Sequence, residues 1–512
     1  MRPTFMGIET AKSSVFTNQK SLDIVGNNLA NVDTEGYTRQ RVDRAVIAVN
    51  TSTQRVAYNG IGLAGQGVQA TSISQMRDAF LDKRFREENS QAKFHDQSAT
   101  ILSDIQSALG DGADVTDQSG LMGAIEQLYQ NLQNFISSPV SDSEANLVMS
   151  AFKNLTQVLS QMNARLDNVL KQQYTDMNVT VDKTNSILEQ IAHINKTLRD
   201  NIATDSDYQS NELLDQRNLL LDELSEYCDI HVTENMDGTI DVDIGDHNAI
   251  DGVKYNVLNL YQNQDGTVAV TWSDTGKNVG LTGGTIHAYI EFLNGRGPCM
   301  QSGNETSANG LMYYRDRIDS LASAFAKIAN TSIPEYDETT GQPKVDAEGR
   351  TVYKILLAAK TETGKTNSKA PVTAGNISLS DEWVNNAAGY FIYNRAETVE
   401  DFASNLASAL IEDKFTFEAY GETFTGTFAE YEIDFLGKLA TEISFQEGRH
   451  DATELVANDF QGQRDSISAV SSDEEAADLI VYQKAYEAAS RLMTAMDDLL
   501  DTIINRMGRV GL

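Results

Sequence analysis

A group of aspartates between residues 237 and 251 offers potential calcium ligands, because carboxylate oxygens are the ligands that Ca²⁺ prefers. They are Asp237, Asp241, Asp243, Asp246 and Asp251. Their spacing does not fit the EF-hand loop. Asp241 and Asp243 also occupy the outward positions of an alternating segment, where the polar side chains of a strand meet solvent. A solvated strand face is the favoured interpretation, and a calcium loop is the alternative.

Residues 60–65 read Gly-Ile-Gly-Leu-Ala-Gly, which is the spacing of a dinucleotide-binding loop. Such a loop must follow a strand and open a helix, so that the helix N-terminus meets the pyrophosphate. Here the glycines lead into residues 68–73, which alternate in polarity like a strand. The sequence therefore predicts a glycine-rich hairpin turn and no nucleotide cofactor.

Histidines and cysteines give no sign of a catalytic or metal site. The six histidines are scattered, and His95 and His193 lie in helical stretches without a second ligand four residues on. Cys228 and Cys299 lack metal-ligand spacing. No His-Glu-x-x-His motif, phosphate loop or nucleophile–base arrangement is evident in the sequence. We therefore expect no catalytic residues, no metal and no cofactor, and predict that the protein is not an enzyme.

The charge balance limits the kinds of partner. The chain has 512 residues, with 40 Lys and Arg against 74 Asp and Glu, a formal net charge of −34. Such a surface repels phosphate backbones and anionic lipids, so we expect no nucleic acid and no membrane surface as a partner. No apolar run approaches the roughly 20 residues of a membrane span. The first residues lack the apolar core of a secretory signal, which indicates a cytosolic protein or export by another route.

The two ends of the chain carry matching apolar stripes in alternating steps of three and four residues, the pattern of a coiled-coil seam. The N-terminal stripe comprises Ile8, Ala11, Val15, Asn18, Leu22, Val25, Leu29 and Val32. The C-terminal stripe comprises Leu479, Tyr482, Tyr486, Ala489, Met493, Met496, Leu500, Ile503, Met507 and Val510. A single buried polar residue such as Asn18 often fixes helix register. We predict that the two ends pair and that the middle of the chain is inserted between them.

The middle of the chain changes pattern several times. Helical periodicity dominates residues 76–201, with a stripe over 148–169 that resumes after a phase slip near Gln173. Period-two alternation with Asp-Gly turns follows from residue 230. A helix is expected near Val399–Leu410, and Ser472 with Glu475 has capping-box spacing at the start of the last helix.

These patterns predict a multidomain, mainly α protein. Its parts are a discontinuous terminal coiled coil and an elongated helical bundle with inserted β-rich and α+β domains. The expected boundaries are 1–33 with 476–512 for the coiled coil, and 34–229 with 311–332 and 436–475 for the bundle, which includes a β-hairpin. The inserted β domain is expected over 230–310, and the inserted α+β domain over 333–435.

Three motifs carry a resemblance to a known family. They are Asn27–Asn31 followed by Gly36, Tyr37, Arg39 and Gln40; the amphipathic segment Asn211–Ser225; and Asp473-Glu474-Glu475-Ala476 with the helix that follows. Together they resemble the bacterial flagellar axial proteins of rod, hook and hook–filament junction, and within these the junction branch. Glu35 stands where the family usually has proline, and Ala469 where it usually has glycine. Further likenesses lie in the glycine-rich turn with the strand and helix that follow it, and in Tyr314–Arg317. Together the matched stretches cover both termini and the inner bundle, about half of the chain.

The resemblance implies a structural subunit that polymerises through its terminal helices. The residues expected at the assembly interface are Ile8, Val15, Asn18, Leu22, Val25, Leu29, Leu479, Tyr482, Tyr486, Met493, Met496, Leu500 and Ile503. It also implies export by the flagellar type III apparatus, a location outside the cell at the hook–filament junction, and self-association in a ring or tube. Implied partners are the hook protein, a second junction protein, and an export chaperone on the C-terminal helix. The alternatives are a hook or rod subunit, and an extracellular adhesin or enzyme carried by the insert over 333–435.

An isolated pair of thin helices is marginally stable, because most helix stability in proteins comes from tertiary packing. We therefore predict that residues 1–33 and 476–512 are largely disordered in the free monomer and become ordered when subunits pack side by side. Hydrogen exchange measured by mass spectrometry on dilute monomer tests this prediction. Fast exchange across Leu479–Ile504 is expected, and slow exchange there would contradict it.

Overall fold

The computed structural model describes residues 6–47, 67–110, 120–138, 141–204, 210–299, 303–337, 340, 342–361, 363–386, 390, 396–411 and 414–506. The glycine motif over 60–65 and the last two stripe positions, Met507 and Val510, lie outside the described residues.

Helices make up most of the described chain, which confirms the predicted mainly α class. They are α1 (Met6–Ala30), α2 (Ala79–Leu109), α3 (Gly120–Ser137), α4 (Asp142–Thr204), α5 (Asn211–Tyr227), α6 (Thr285–Leu293), α7 (Leu311–Asn330), α8 (Asp381–Asn385), α9 (Ala396–Ile411), α10 (Phe428–Ser468) and α11 (Ser472–Asp501). A π-helical turn, Thr502–Arg506, follows α11. In the described part of the chain, no helix is long and apolar enough to cross a bilayer.

The strands form small antiparallel sheets. They are β1 (Gln40–Val46), β2 (Val68–Gln75), β3 (Ile230–Glu234), β4 (Ile240–Ile244), β5 (His247–Asp251), β6 (Lys254–Tyr255), β7 (Leu258–Gln262), β8 (Val268–Trp272), β9 (Leu357–Lys360), β10 (Thr366–Asn367), β11 (Ile377–Leu379), β12 (Phe415–Ala419) and β13 (Glu422–Gly426). The sheets have the orders β1-β2, β3-β4-β5-β6, β7-β8, β10-β9-β11 and β12-β13.

The chain divides into two compact units, the first with residues 1–90, 184–257 and 453–512, and the second with 91–183 and 258–452. Helices α2, α4 and α10 each contribute residues to both units. The β domain expected over 230–310 likewise has residues in both. The boundaries of the four expected domains stay a prediction.

In the first unit, α1 packs against α11, and the β1–β2 hairpin packs against α1. The hairpin runs from the pair Gln40–Gln75 to the pair Val46–Val68, with a register shift after Asp43. The four-stranded sheet follows the predicted alternation, because Ile240, Val242 and Ile244 are buried while the aspartates between them are not.

The aspartates considered as calcium ligands stabilise turns of this sheet. Asp237 Oδ1 accepts hydrogen bonds from the amide and the hydroxyl of Thr239, at 3.1 and 2.6 Å. Asp241 Oδ1 accepts from the amide of Gly252 at 2.7 Å. Among the residues that the structure describes, no group of three or more His, Cys, Asp or Glu side chains is arranged to hold a metal ion.

The second unit has a core rich in aromatic rings. Phe152 on α4 stacks on Phe325 of α7 at 5.5 Å between ring centroids and meets Trp383 edge-on at 5.2 Å. Phe417 of β12 stacks on Tyr431 of α10 at 4.2 Å. The expected stripe over 148–169 is buried apart from half-buried Val169, so helical periodicity located the inner face of α4 correctly.

Candidate functional site: the terminal helix pair

The inner face of α1 is formed by buried residues at helical spacing. Ala11, Val15, Asn18 and Val25 are all at most 9% exposed. Ile8 and Leu22 are half-buried. Leu29, near the end of the helix, is 42% exposed, so it lies outside the buried part of the stripe.

The buried face of α1 is wider than a coiled-coil stripe because α1 meets the β1–β2 hairpin as well as α11. Thr17, Ser21, Ile24 and Asn28 are buried in addition to the predicted positions. Ser21 Oγ accepts a hydrogen bond from Arg44 of β1 at 2.6 Å. Polar side chains fill this face, so hydropathy spacing alone indicated only part of it.

Helix α11 packs shallowly. Glu475 and Ala489 are its buried residues, at 1% and 6% exposed. The predicted seam residues between them and beyond are half-buried, namely Tyr482, Tyr486, Met493, Met496 and Leu500. At the two ends of the predicted stripe, Leu479 and Ile503 are 36% and 43% exposed. The apolar stripe of α11 is therefore most buried near Ala489 and open at Leu479 and Ile503.

Close approach near the free end of the pair depends on a glycine. A Cβ atom on Gly7 would lie 2.9 Å from the Cε atom of Met496, so a larger residue there would displace this methionine. Asn18, expected to fix register, donates its hydrogen bond within α1, to Ser14 Oγ at 3.3 Å. Its role in register stays a prediction.

The base of the pair is held by a buried carboxylate. Glu475 Oε1 accepts a hydrogen bond from Arg39 Nε at 2.7 Å, and its Oε2 accepts from Asn28 Nδ2 at 3.1 Å. We call the three residues Asn28, Arg39 and Glu475 the latch. It joins the end of α1, the segment after it and the first turn of α11, which the sequence separates by more than 400 residues.

Neighbouring bonds hold the latch residues in position. Asn28 Nδ2 also donates to the Gln40 carbonyl at 2.9 Å, and Asn28 Oδ1 accepts from the Gln40 amide at 3.0 Å. Tyr37 donates its hydroxyl to the same Oδ1 at 2.9 Å. The Arg39 amide donates to the carbonyl of Ser468, the last residue of α10, at 2.8 Å. Each bond satisfies a polar group that would otherwise be costly to bury.

The latch corrects the expected start of the last helix. The N-cap is Ser471, whose hydroxyl accepts from the Glu474 amide, and not Ser472. Glu475 was expected to close a capping box with Ser472, and that expectation is wrong. Its carboxylate is turned toward Arg39 and Asn28, where two charge-assisted bonds replace one local bond.

Arg39 is the cation that neutralises this carboxylate. It also donates to Glu474 Oε2 at 2.6 Å, and its Nη2 lies 3.6 Å from Asp478. Burial lowers the pKa of Arg39, but Glu475 and Glu474 outweigh this effect, so the pKa is raised above its ordinary value. Arg39 therefore stays charged, and the acidic first turn of α11 is compensated.

A second ionic cluster supports the latch through the end of α10. Asp222 of α5 accepts from Arg86 Nε at 2.7 Å and from Arg464 Nη2 of α10 at 2.6 Å. Arg464 Nε also lies 2.9 Å from Asp82 Oδ1 on α2. Burial raises the pKa of Asp222, yet the two arginines outweigh it and hold the pKa below its ordinary value. This cluster fixes the last turns of α10, from which Ser468 reaches Arg39.

Asp215 on α5 is a titratable group next to the latch. It is 8% exposed and accepts a hydrogen bond from Gln75 at 2.7 Å. Burial raises its pKa to about 6, against bonds from Thr38 and the charge of Arg77, which lower it. The folded state therefore holds this proton more tightly than the unfolded chain, and stability falls as the pH rises from about 4 to about 6.

We expect Asp215→Asn to flatten this part of the pH profile. At neutral pH the unfolding free energy of the wild-type protein is lowered by at most about 3 kcal/mol through Asp215, and the variant avoids this decrease. Urea unfolding between pH 4 and pH 7 measures it. Asp200→Asn, at a side chain that is 58% exposed, is the control and should leave the profile unchanged. A profile for Asp215→Asn with the wild-type slope would contradict the assignment.

This site offers surfaces for binding. Its polar groups are paired with one another across the chain ends, and its apolar groups lie on two helices whose outer faces are exposed. On those outer faces Phe16 is 60% exposed, Val481 58% and Leu499 58%. Open apolar positions on a helix pair are typical of a surface that meets another protein.

Family models match both ends and the middle of the chain. A model described as "Flagella basal body rod protein" matches residues 8–38, and one described as "Flagellar basal body rod FlgEFG protein C-terminal" matches residues 461–507. The model "Flagellar hook-associated protein FlgK helical domain" matches residues 102–335. The two end matches contain Asn28 and Glu475, which are two of the three latch residues and share a hydrogen bond.

Curated relatives match over most of the chain. Flagellar hook-associated protein 1 of Bacillus subtilis (strain 168) is 29% identical over 531 residues, covering 100% of this chain and 100% of the relative. The protein of the same name from Escherichia coli (strain K12) is 24% identical over 82% of this chain and 73% of its own length. The solved flagellar hook junction protein FlgK from Burkholderia pseudomallei has a TM-score of 0.42 and 18% identity, over 54% of this chain and 46% of that one.

The paired terminal helices and the matches at both ends define the class: an axial protein of the bacterial flagellum. Within that class, the match to the helical domain and the full-length relative indicate one branch. The chain is similar along its whole length to flagellar hook-associated protein 1, and this similarity indicates a structural protein.

Proposed function

We infer that this chain is a structural subunit of the flagellum that joins hook to filament, outside the cell, and assembles through α1 and α11. One observation carries the assignment of the assembly element to these helices. The two segments matched by axial-protein models, far apart in the sequence, pack together and share the buried Asn28–Glu475 hydrogen bond. This bond holds the start of α11 beside the end of α1, as is needed in a subunit that binds its neighbours through both helices.

The thinness of the pair supports assembly as the role of the exposed faces. Helix α11 has 30 residues, of which only Glu475 and Ala489 are buried among the described ones. A helix this open in a single copy leaves most of its apolar surface for neighbours. Self-association in a ring or tube satisfies that surface without a further domain.

Specific neighbours follow as proposals. We propose the hook protein on one side, a second junction protein on the other, and an export chaperone that covers α11 before export by the type III apparatus. The half-buried stripe of α11, which includes Tyr486, Met493 and Leu500, suits a chaperone groove because it is an amphipathic helix with apolar anchors at regular spacing. A chaperone bound there would also prevent premature assembly.

The alternative of a rod or hook subunit has less support. Rod-type models match the two ends, but residues 102–335 match the helical domain of the hook-associated family. Deleting the gene in the source bacterium tests the junction role. We expect hooks that lack filaments and flagellin released into the medium, with both defects restored by the intact gene. Filaments of normal number and length on the deletion strain would overturn the proposal.

A further inference from the structure

Helix α11 carries a second apolar stripe beside the seam that meets α1. It comprises Val481, Ala485, Ala488, Leu492, Ala495 and Leu499, in steps of four, three, four, three and four residues. Val481, Leu492 and Leu499 are 58%, 44% and 58% exposed. We call this set the outer stripe. Packing on α1 does not explain it, because its large residues remain open to solvent in the single copy.

Helix α1 has an open groove of its own. The groove lies between α1 and the β1–β2 hairpin and has a volume of about 490 Å³. Its wall includes Phe16, Thr17, Lys20, Ile47 and Val68. Phe16 is 60% exposed, so most of its ring is open to solvent beside the groove. An apolar side chain from another molecule would bury this ring.

The charges around the two features are complementary. Lys12 and Lys20 lie one helical turn before and after Phe16, and both are exposed. Asp497 and Asp498 directly precede Leu499, and both are exposed. Because the whole chain has a formal charge of −34, two copies repel each other unless local charges of opposite sign meet. Along α1, the charges nearest to Phe16 are these two lysines, with Asp23 further along the groove, and the end of the outer stripe is acidic.

We propose that the α1 groove of one copy receives the outer stripe of the next copy, with Leu499 against Phe16 and the aspartates beside Leu499 against Lys12 and Lys20. The contact is heterologous, because two different surfaces meet, and a pair of copies keeps one groove and one outer stripe free. Such contacts continue from copy to copy and close into a ring or extend as a helix. The proposal rests on the proposed function, and it names the surfaces through which copies meet.

Disulfide cross-linking in isolated flagella tests the contact. Cys299 is exposed and Cys228 is buried, so Cys299→Ser gives a background without an exposed native thiol among the described residues. In that background, Gln19→Cys lines the groove and Thr502→Cys continues the outer stripe at the heptad position after Ala495. The matched control pairs Gln19→Cys with Gln483→Cys, which is exposed on α11 but off the stripe.

We expect mild oxidation of intact flagella to give covalent dimers and higher oligomers of the first variant, at least about tenfold more than of the control. Dilute monomer should give none. Equal ladders from both variants, or no ladder from flagella that contain the first variant, would overturn the proposal.

A charge exchange keeps the proposal testable even where a cysteine variant does not assemble. Lys20→Asp should lower incorporation about tenfold in competition with wild type, and adding Asp498→Lys should restore it to within about twofold. Incorporation of Lys20→Asp at the wild-type level, or no restoration by the second change, would also overturn it. If these tests fail while the wild-type protein is found at the junction, only the proposed contact is refuted. If the wild-type protein is absent from the junction, the proposed function is refuted.

Discussion

Glu475→Ala is expected to destabilise the base of the terminal helix pair by about 3 kcal/mol. The change removes a carboxylate that is 1% exposed and leaves Arg39 and Asn28 without their shared acceptor. The lower end of the range for a broken buried ion pair applies, because Arg39 keeps Glu474 as a partner. Two measurements report the effect: hydrogen exchange of the protein within assembled flagella, and the amount incorporated into flagella. Protection from exchange across the first turns of α11 and incorporation should both decrease.

Glu474→Ala is the matched control for this prediction. Glu474 is adjacent in sequence and binds the same arginine at 2.6 Å, but its side chain is 64% exposed. Exposed ion pairs contribute at most about 1 kcal/mol, so near-normal incorporation is expected. Equal effects of the two alanine variants would show that burial of Glu475 is not what holds the latch.

Ala489→Asp is expected to reduce incorporation into flagella by a factor of about 100 or more. Ala489 is 6% exposed at the centre of the seam on α1, and a carboxylate without a partner there costs several kcal/mol. Quantitative immunoblotting of flagella from cells that also express wild-type protein measures this ratio. The second unit should stay folded, because Ala489 belongs to the first.

The control for the seam uses the same new residue on the same helix. Thr494 is exposed on α11 and lies in neither the seam nor the outer stripe. Thr494→Asp should therefore be incorporated within about twofold of wild type, as is typical of surface substitutions. Incorporation of Ala489→Asp at the level of Thr494→Asp would mean that the α1–α11 seam is not needed for assembly.

Periodicity predicted the elements that bury continuous apolar stripes. The pairing of the chain ends and the inner face of α4 over 148–169 follow from spacing, because burial repeats with the helical turn. The helix expected near Val399–Leu410 is α9. The hairpin between β3 and β4 follows from Asp237-Gly238, where Gly238 has a φ of 80°.

Polar side chains at buried positions concealed other parts of the fold. The apolar stripe was expected to slip in phase near Gln173. Helix α4 continues through this position, from Asp142 to Thr204. Gln173 is 3% exposed and donates to Asp104 Oδ2 at 2.6 Å, so a hydrogen bond takes the place of an apolar contact in the stripe. Hydropathy counts such a position as a gap.

Local sequence patterns could not predict the latch, for a different reason. Arg39 and Glu475 are 436 residues apart, and neither belongs to a periodic sequence pattern that would identify the other. The motifs that contain them were recognised by resemblance, but their role as one buried ion pair depends on tertiary structure. The same holds for Asp222 and Arg464, which are 242 residues apart.

Localisation of the protein on native flagella tests the central claim most directly. Antibody against the full chain, followed by gold-labelled electron microscopy of intact flagella, reports where the subunit resides. We predict label confined to a single band at the boundary between hook and filament, and loss of that band in cells that produce only Ala489→Asp. Label distributed along the hook, within the rod or along the filament would contradict the assignment.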